Sequence, residues 1–399
     1  MTERLIGGII ILTIEQRGLL VNYRNRTWIE TDLYKATANF LKIKEIAGGK
    51  RIFAVVKANA YGHGAVVISK LFEDLGTDGF AVSNIDEALE IRNAGIKSEI
   101  LILGYTPFER AAELIKYNIS QTVYSLEYAE NLNSFAKKSG GNVKVHIKLD
   151  TGMGRLGFDC RKGFSNGVKG EIISCLALKS LNIEGLFTHF ATADGNDSEY
   201  TEYCDKQYEI FKTAHGELIN AGFDFKYVHT DNSAATVTRK DDICNTVRPG
   251  IVLYGYLPDP ELKAEVTLDP VMSVKSVVSM VKDIDEGDSV SYGRTFTASG
   301  KMKVATVPVG YADGYPRYLS NKGYVLIGGK RADILGRVCM DQIVVDVSDI
   351  KDVTIGDTVT LIGTDQDEKI TAEDIAKIGG TISYEVVCGF APRVEKFYV

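Results

Sequence analysis

A chain of 399 residues, 45% apolar and 25% charged, is large enough to bury two cores and reads as a soluble, enzyme-sized protein. Its formal net charge of −7, with lysines scattered rather than clustered, argues against nucleic acid as a partner, because no basic stripe is available to displace phosphate counterions. The cysteines, Cys160, Cys175, Cys204, Cys244, Cys339 and Cys388, lie far apart, with no Cys-x-x-Cys pair and no histidine spacing suited to zinc. Free thiols, a reducing cytoplasm and no bound metal are expected.

The first element is an apolar run over 5–14. It lacks a small-x-small cleavage site and is too short to span a bilayer, so residues 1–24 are read as an extension whose strand packs on a β domain further along the chain. No other segment is a membrane candidate. From there strand-like runs fall at 53–57, 79–83, 100–104, 121–124, 143–149, 183–189, 226–229 and 246–255. Segments with helical spacing lie between them, as at 33–46, 85–94, 126–138 and 200–221, most of them opening on Asp, Ser or Asn and several closing on Gly. Eight such β/α repeats in about 230 residues match a parallel (β/α)8 TIM barrel, assigned to 25–260. A doubly wound sheet competes, but it would not need this many units, and no Gly-x-Gly-x-x-Gly fingerprint is present.

Beyond Pro258, Pro260 and Pro270 the texture changes to Val- and Thr-rich runs at 271–284, 302–309, 324–327, 342–347 and 358–362, with a helix at about 372–378. Residues 261–399 are therefore expected to form a second, mostly β domain.

The chemistry collects at strand ends. Ala-Val-Val-Lys-Ala-Asn-Ala-Tyr-Gly-His-Gly (54–64) ends an apolar run in Lys57, where partial desolvation would lower the amine toward the neutral form needed for a Schiff base. In Val-Lys-Val-His-Ile-Lys-Leu-Asp (143–150) the apolar residues take one parity and Lys144, His146 and Lys148 the other. Lys148 then points into the barrel, where an ammonium must be paired, neutral or chemically modified. Arg155 is carried to the same mouth by 151–157. His189, Ser233, Arg248 and the Gly250-Ile251 backbone close later strands, and a gathering from several strand ends reads as an active site that binds an anion.

In this order the motifs resemble those of the alanine racemase family, barrel-plus-β enzymes that use pyridoxal phosphate. Besides 54–64, the resemblance rests on Lys-Leu-Asp-Thr-Gly-Met-Gly-Arg-Leu-Gly (148–157), Thr-His-Phe-Ala-Thr-Ala-Asp (188–194), Asn-Ser-Ala-Ala (232–235) and Arg-Pro-Gly-Ile (248–251). It continues through Ser-Tyr-Gly-Arg (291–294), Gly-Tyr-Ala-Asp-Gly (310–314), Gly-Arg-Val-Cys-Met-Asp (336–341) and Ile-Ser-Tyr-Glu (382–385). The resemblance implies that Lys57 holds the cofactor and acts as one base on the substrate α-carbon, with Tyr292, from the partner subunit of a homodimer with shared sites, as the other. It implies Arg248 at the pyridine nitrogen, and Arg155 at the phenolic oxygen and the substrate carboxylate. His189 would be hydrogen-bonded to Tyr292, and Lys148 carbamylated. Tyr61, Ser233, Gly250, Ile251 and Tyr384 map onto the phosphate shell, and Tyr311, Met340 and Asp341 onto the substrate mouth.

The implied activity is interconversion of L- and D-alanine, supplying D-alanine for peptidoglycan. The Tyr384 ring favours a methyl side chain. Size alone discriminates against serine weakly, so a serine or broad-spectrum racemase is the alternative substrate reading. A decarboxylase of diamino acids would need a cysteine-based motif that is missing, and a non-catalytic pyridoxal phosphate carrier has no use for Tyr292 and its domain.

Overall fold

The computed structural model describes residues 26–399 and, of the leader, the backbone of Leu5–Ile6 and Ile9–Ile10, which pair antiparallel. The expected packing of a leader strand on the β domain lies outside the described residues. Two compact units emerge, one of residues 37–60 and 65–269, the other containing 26–36, 61–64 and 270–399.

The first unit is a nearly closed parallel barrel. Its strands Arg51–Val55, Gly79–Val82, Glu99–Ile102, Ser120–Val123, Val143–Asp150, Leu181–Phe187 and Tyr227–His229 pair in sequence, and the two-residue strand Thr246–Val247 returns to pair with Arg51–Ile52. Closure is completed by backbone bonds from Asn245 N–H to Val228 O (3.0 Å) and from Arg248 N–H to Asp231 O (2.9 Å). The strands read as unbroken apolar runs because both faces are covered: Phe53, Phe80, Ile100 and Leu101 are fully buried. Inside, His229 stacks on Phe187 (centroids 4.7 Å, 9° between planes) and His146 on Tyr227 (5.3 Å, 19°), so alternate residues of Val143–Asp150 do face the lumen. The surrounding helices are capped as their sequences suggest. Asn84 accepts from Asp86 and Glu87 N–H to start Ile85–Asn93, and Ser125 accepts from Tyr128 N–H to start Leu126–Lys138.

Two local expectations are corrected here. The run at 246–255 yields only Thr246–Val247 before a 3₁₀ turn, Ile251–Tyr254, because Pro249 has no N–H to donate and Gly250 (φ −123°, ψ −96°) leaves the strand conformation. Nor does Lys57 end a strand, since the first barrel strand stops at Val55.

The second unit is built on a long mixed sheet. Its strands run in the spatial order Met280–Ile284, Met302–Val307, Ile343–Asp346, Lys330–Leu335, Tyr324–Ile327, Thr358–Asp365, Met272–Val277, Thr27–Thr31, Glu395–Tyr398. Thr27–Thr31 was expected in a barrel unit opening at residue 25. It instead lies inside this sheet, antiparallel to Met272–Val277 and parallel to Glu395–Tyr398. Residues 61–64 also group here. A Cβ on Gly64 (φ +105°) would sit 2.0 Å from the Tyr398 hydroxyl oxygen, so the chain can cross this point only as glycine. The apolar run at 271–284 divides into the two strands Met272–Val277 and Met280–Ile284.

Candidate active site

The residues after the first barrel strand form one turn of left-handed helix. Ala58, Asn59 and Ala60 hold (φ, ψ) of (52°, 51°), (53°, 47°) and (53°, 52°), and Tyr61 follows with φ 51°. Left-handed backbone costs an L-residue roughly 1–2 kcal/mol, so such a turn persists only where its surroundings enforce it. Val56 N–H still bonds to Ala81 O (3.0 Å), and the half-buried Lys57 follows it.

Four cations of the barrel unit converge on His189. Arg248, Lys148, Arg155 and Lys57 each depress its proton affinity, after burial as the main cause, and the imidazole is held well below its ordinary value and therefore neutral. Lys148 is 4% exposed, and its Nζ has no hydrogen-bond partner among the described residues. Burial first, then Arg248 and Arg155, bring its pKa down to about 7, with Asp150 opposing. Asp150 spends one oxygen on Gly152 N–H (3.1 Å) and Gly154 N–H (2.9 Å), shaping the loop that carries the exposed Arg155.

Arg248 is nearly fully buried and rigidly engaged. Its Nη2 donates to Thr188 O (2.8 Å) and Thr230 O (2.9 Å), and its Nη1 donates to His229 Nδ1 (2.7 Å). Because guanidinium only donates, His229 must accept at Nδ1 and carry its hydrogen on Nε2. That hydrogen goes to His146 Nδ1 (2.9 Å), so His146 carries its own hydrogen on Nε2, an atom without a partner among the described residues. Burial keeps both rings neutral, His146 with a pKa lowered to about 3 and His229 well below its ordinary value. His189 Nδ1 lies 3.4 Å from Arg248 Nη2, whose two hydrogens are directed at Thr188 O and Thr230 O.

Ser233 opens the short helix Ser233–Thr238, and its Oγ accepts Gly250 N–H at 2.8 Å. Gly250 N–H is therefore engaged within the chain, and Ser233 keeps a hydroxyl hydrogen to donate. Ile251 follows at the start of the 3₁₀ turn.

The predicted residues of the β unit form a second group. Tyr292 is 69% exposed, in a turn where Ser291 takes φ 66°, ψ −178°, a region otherwise kept for glycine. Ser291 Oγ donates to Arg337 O (2.6 Å) and lies 3.2 Å from Cys339 Sγ, pinning the turn to the strand-to-strand loop 336–341. On that loop's other side Tyr311 N–H bonds to Cys339 O and Ala312 N–H to Met340 O, both at 3.0 Å. A Cβ on Gly310 would meet Cys339 O at 2.3 Å. Tyr292, Tyr311 and Met340 are thus carried by adjoining loops, all exposed. Asp341 is engaged by Arg393 (2.7 Å) and lies 3.9 Å from Arg26. Tyr384, on the helix Ser383–Cys388, packs its ring 6.0 Å from that of Tyr61.

Sequence reasoning missed three things. The helix bearing Tyr384 is only six residues long, too short to show a period. The His146–His229 pair was hidden because its partners lie 83 residues apart, although the polar parity of 143–150 already pointed one ring inward. The left-handed turn has no local signal beyond Asn59. Among the described residues no group of three or more His, Cys, Asp or Glu side chains is placed to hold a metal, and no helix is long and apolar enough to cross a membrane.

An alternating barrel with an anion-seeking mouth, joined in sequence to a β unit with exposed tyrosines, is the class of protein these units define. The family models for the alanine racemase N-terminal and C-terminal domains match residues 31–258 and 271–398. The alanine racemase of Clostridium perfringens (strain SM101) is 44% identical over 372 residues, covering 93% of this chain and 95% of that protein. The solved alanine racemase of Clostridium difficile superposes with a TM-score of 0.88 at 41% identity, over 94% and 96% of the two chains. That of Bacillus anthracis, solved with bound L-Ala-P, does so with a TM-score of 0.88 at 37% identity, over 94% and 96%. The chain belongs to the alanine racemase family of isomerases.

Proposed function

We propose that the protein interconverts L-alanine and D-alanine with pyridoxal 5′-phosphate, in the cytoplasm, supplying D-alanine for peptidoglycan. The observation that carries this reading is the cluster of Lys57, Lys148, Arg155 and Arg248 around a neutral His189, an arrangement that calls for anionic ligand atoms. Pyridoxal phosphate fits it, bringing a phosphate and a phenolic oxygen, and when bound it withdraws electrons so that the α-hydrogen of an attached amino acid becomes acidic.

Lys57 would hold the cofactor, with Tyr61, Ser233, Gly250, Ile251 and Tyr384 at the phosphate. The Ser233 hydroxyl, oriented by Gly250 N–H, suits a donor's role. Arg248, which cannot accept a proton, would face the pyridine nitrogen and keep it unprotonated, and His229 holds the guanidinium in place for this. Arg155 would take the phenolic oxygen and the substrate carboxylate.

Inverting a carbon centre requires a base on each face. Lys57 Nζ would remove or return the α-proton on one face and Tyr292 Oη on the other. The exposure of Tyr292, Tyr311 and Met340 supports a homodimer in which one subunit's β unit covers the other's barrel, with Asp341 at the substrate mouth. There His189 Nε2–H would donate to the partner's copy of Tyr292 and stabilise its phenolate. Lys148, about half of it neutral near pH 7, suits carbamylation. Its amine adds to carbon dioxide, a nitrogen–carbon bond forms, a proton is released, and the buried cation becomes an anion facing Arg155.

Alanine is favoured over serine by the Tyr384 ring and by the ligand of the Bacillus anthracis relative. The test is α-proton exchange in deuterium oxide, starting from L-alanine and from D-alanine with added pyridoxal phosphate. Deuterium entering both isomers as they converge on one mixture supports the proposal; capture of the cofactor without exchange refutes it.

A further inference from the structure

The left-handed turn after Val56 raises a question that the functional roles above leave open, namely what holds three successive non-glycine residues in a conformation that L-residues ordinarily visit singly. Its exit is tied by Asn59, whose Oδ1 accepts Ala65 N–H at 2.7 Å. Its interior has the bond from Ala60 N–H to Val56 O at 2.8 Å. Its start is held from outside: Ala58 N–H donates to Glu87 Oε1 at 2.9 Å.

Glu87 sits three residues after the Asn84 cap of helix Ile85–Asn93, where a glutamate ordinarily turns back to the cap residue's own N–H. Here the carboxylate instead reaches one residue further, to Ser83 N–H (Oε2, 2.7 Å), and across to Ala58, 29 residues away in sequence. Ser83 and Ala58 follow the second and first barrel strands. One carboxylate therefore bridges the chain leaving both, and starting a helix requires neither the charge nor Ala58.

From this we infer that Glu87 is a positioning residue for Lys57: by accepting from Ala58 and Ser83 it enforces the left-handed turn, and the turn sets where the Lys57 amine is presented. The inference rests on the reading of Lys57 as the cofactor-holding lysine, but the contact itself does not. An ionised carboxylate suits the task because two backbone donors are satisfied by one group with charge-assisted bonds. Glutamine keeps a single accepting oxygen and turns an amide toward the other donor.

The full-length protein and its E87A, E87Q and E87A/A58G variants test this, using two readouts besides turnover. The first is amide hydrogen exchange of residues 57–61 and 83 in protein free of pyridoxal phosphate. The second is capture of pyridoxal phosphate at Lys57, followed by absorbance and, after borohydride reduction, by mass at that residue. E87A is expected to speed exchange at Ala58 and weaken capture by roughly ten- to a hundredfold, with E87Q between it and the native protein. A58G should recover part of the E87A loss, because glycine takes the φ of 52° without a Cβ penalty. A lost hydrogen bond that was merely structural would show no such rescue.

Should E87A fail to fold, E87Q and the exchange at Ala58 decide alone. Unchanged exchange and capture in E87Q overturn the inference, as does a loss in E87A that A58G leaves untouched. A native protein that captures the cofactor but exchanges no α-proton would defeat the racemase reading while leaving the hold of Glu87 on the turn to be read as before.

Discussion

Lys148, Arg248, His146 and His229 of the barrel unit are 4% exposed or less, whereas Tyr292, Tyr311 and Met340 of the β unit expose 69%, 43% and 52% of their surface. The barrel groups owe their properties to the fold of one chain: burial neutralises two histidines, lowers a lysine to about pH 7 and locks an arginine into a donor network. The exposed tyrosines and methionine have no such environment, and only their backbone is pre-set, by strain at Ser291 and close packing at Gly310. A buried, hydrogen-bonded cluster and an exposed set of side chains in one chain are what a site shared between two copies would leave in each of them.

Substitutions can break this contrast, and the largest effect is expected on its barrel side. Lys57→Ala should abolish both racemisation and cofactor capture, seen together as loss of activity and of the bound cofactor's absorbance. Tyr292→Phe should leave that absorbance intact and lower turnover by roughly 10²–10⁴-fold, the worth of a proton-transfer group. Loss of the absorbance would instead make Tyr292 structural.

Lys148 sharpens the comparison through pH. Its folded pKa of about 7 lies below the ordinary 10.5, so between these values the unfolded chain holds the extra proton. Stability from this group is then fully diminished below pH 7 and rises as the pH climbs toward 10.5, by up to about 1.4 kcal/mol per pH unit. In buffer depleted of carbon dioxide, chemical denaturation should show this rise in the native protein, and Lys148→Met should remove it. A flat profile in both would mean that the amine is charged in the fold.

Smaller effects are expected within the histidine pair. His229→Leu should cost about 1–3 kcal/mol, since it strips a buried donor of Arg248 of its acceptor. His146→Phe should cost less, about 1 kcal/mol, because it breaks one neutral bond and removes an N–H that already lacks a partner. Equal losses in thermal melts would show that the two rings act as one network.

Much of the barrel was legible because its physics is local and periodic. Parallel strands covered on both faces must be continuously apolar, and caps such as Asn84 and Ser125 announce their helices, so Leu33–Ile46 and Leu126–Lys138 could be read to the residue. Thr27–Thr31 was misplaced for the opposite reason: a five-residue strand states that it is extended but not which sheet it joins, and its partners lie more than 240 residues away. The candidate site divides in the same way. Residue types in and just beyond strand ends marked Lys57, Lys148, His189 and Arg248, whereas the Gly250 bond to Ser233, the Asp341 pair with Arg393 and the Glu87 bridge depend on distant parts of the chain that no spacing records.

The sharing of sites between subunits is tested most directly by mixing two inactive variants, Lys57→Ala and Tyr292→Phe, under conditions that let subunits exchange. If each site draws Lys57 from one subunit and Tyr292 from the other, every mixed dimer holds one intact site, and activity should return to about a quarter of the native level. If both bases come from the same chain, no site in any dimer is intact, and a mixture as inactive as its components would contradict the account.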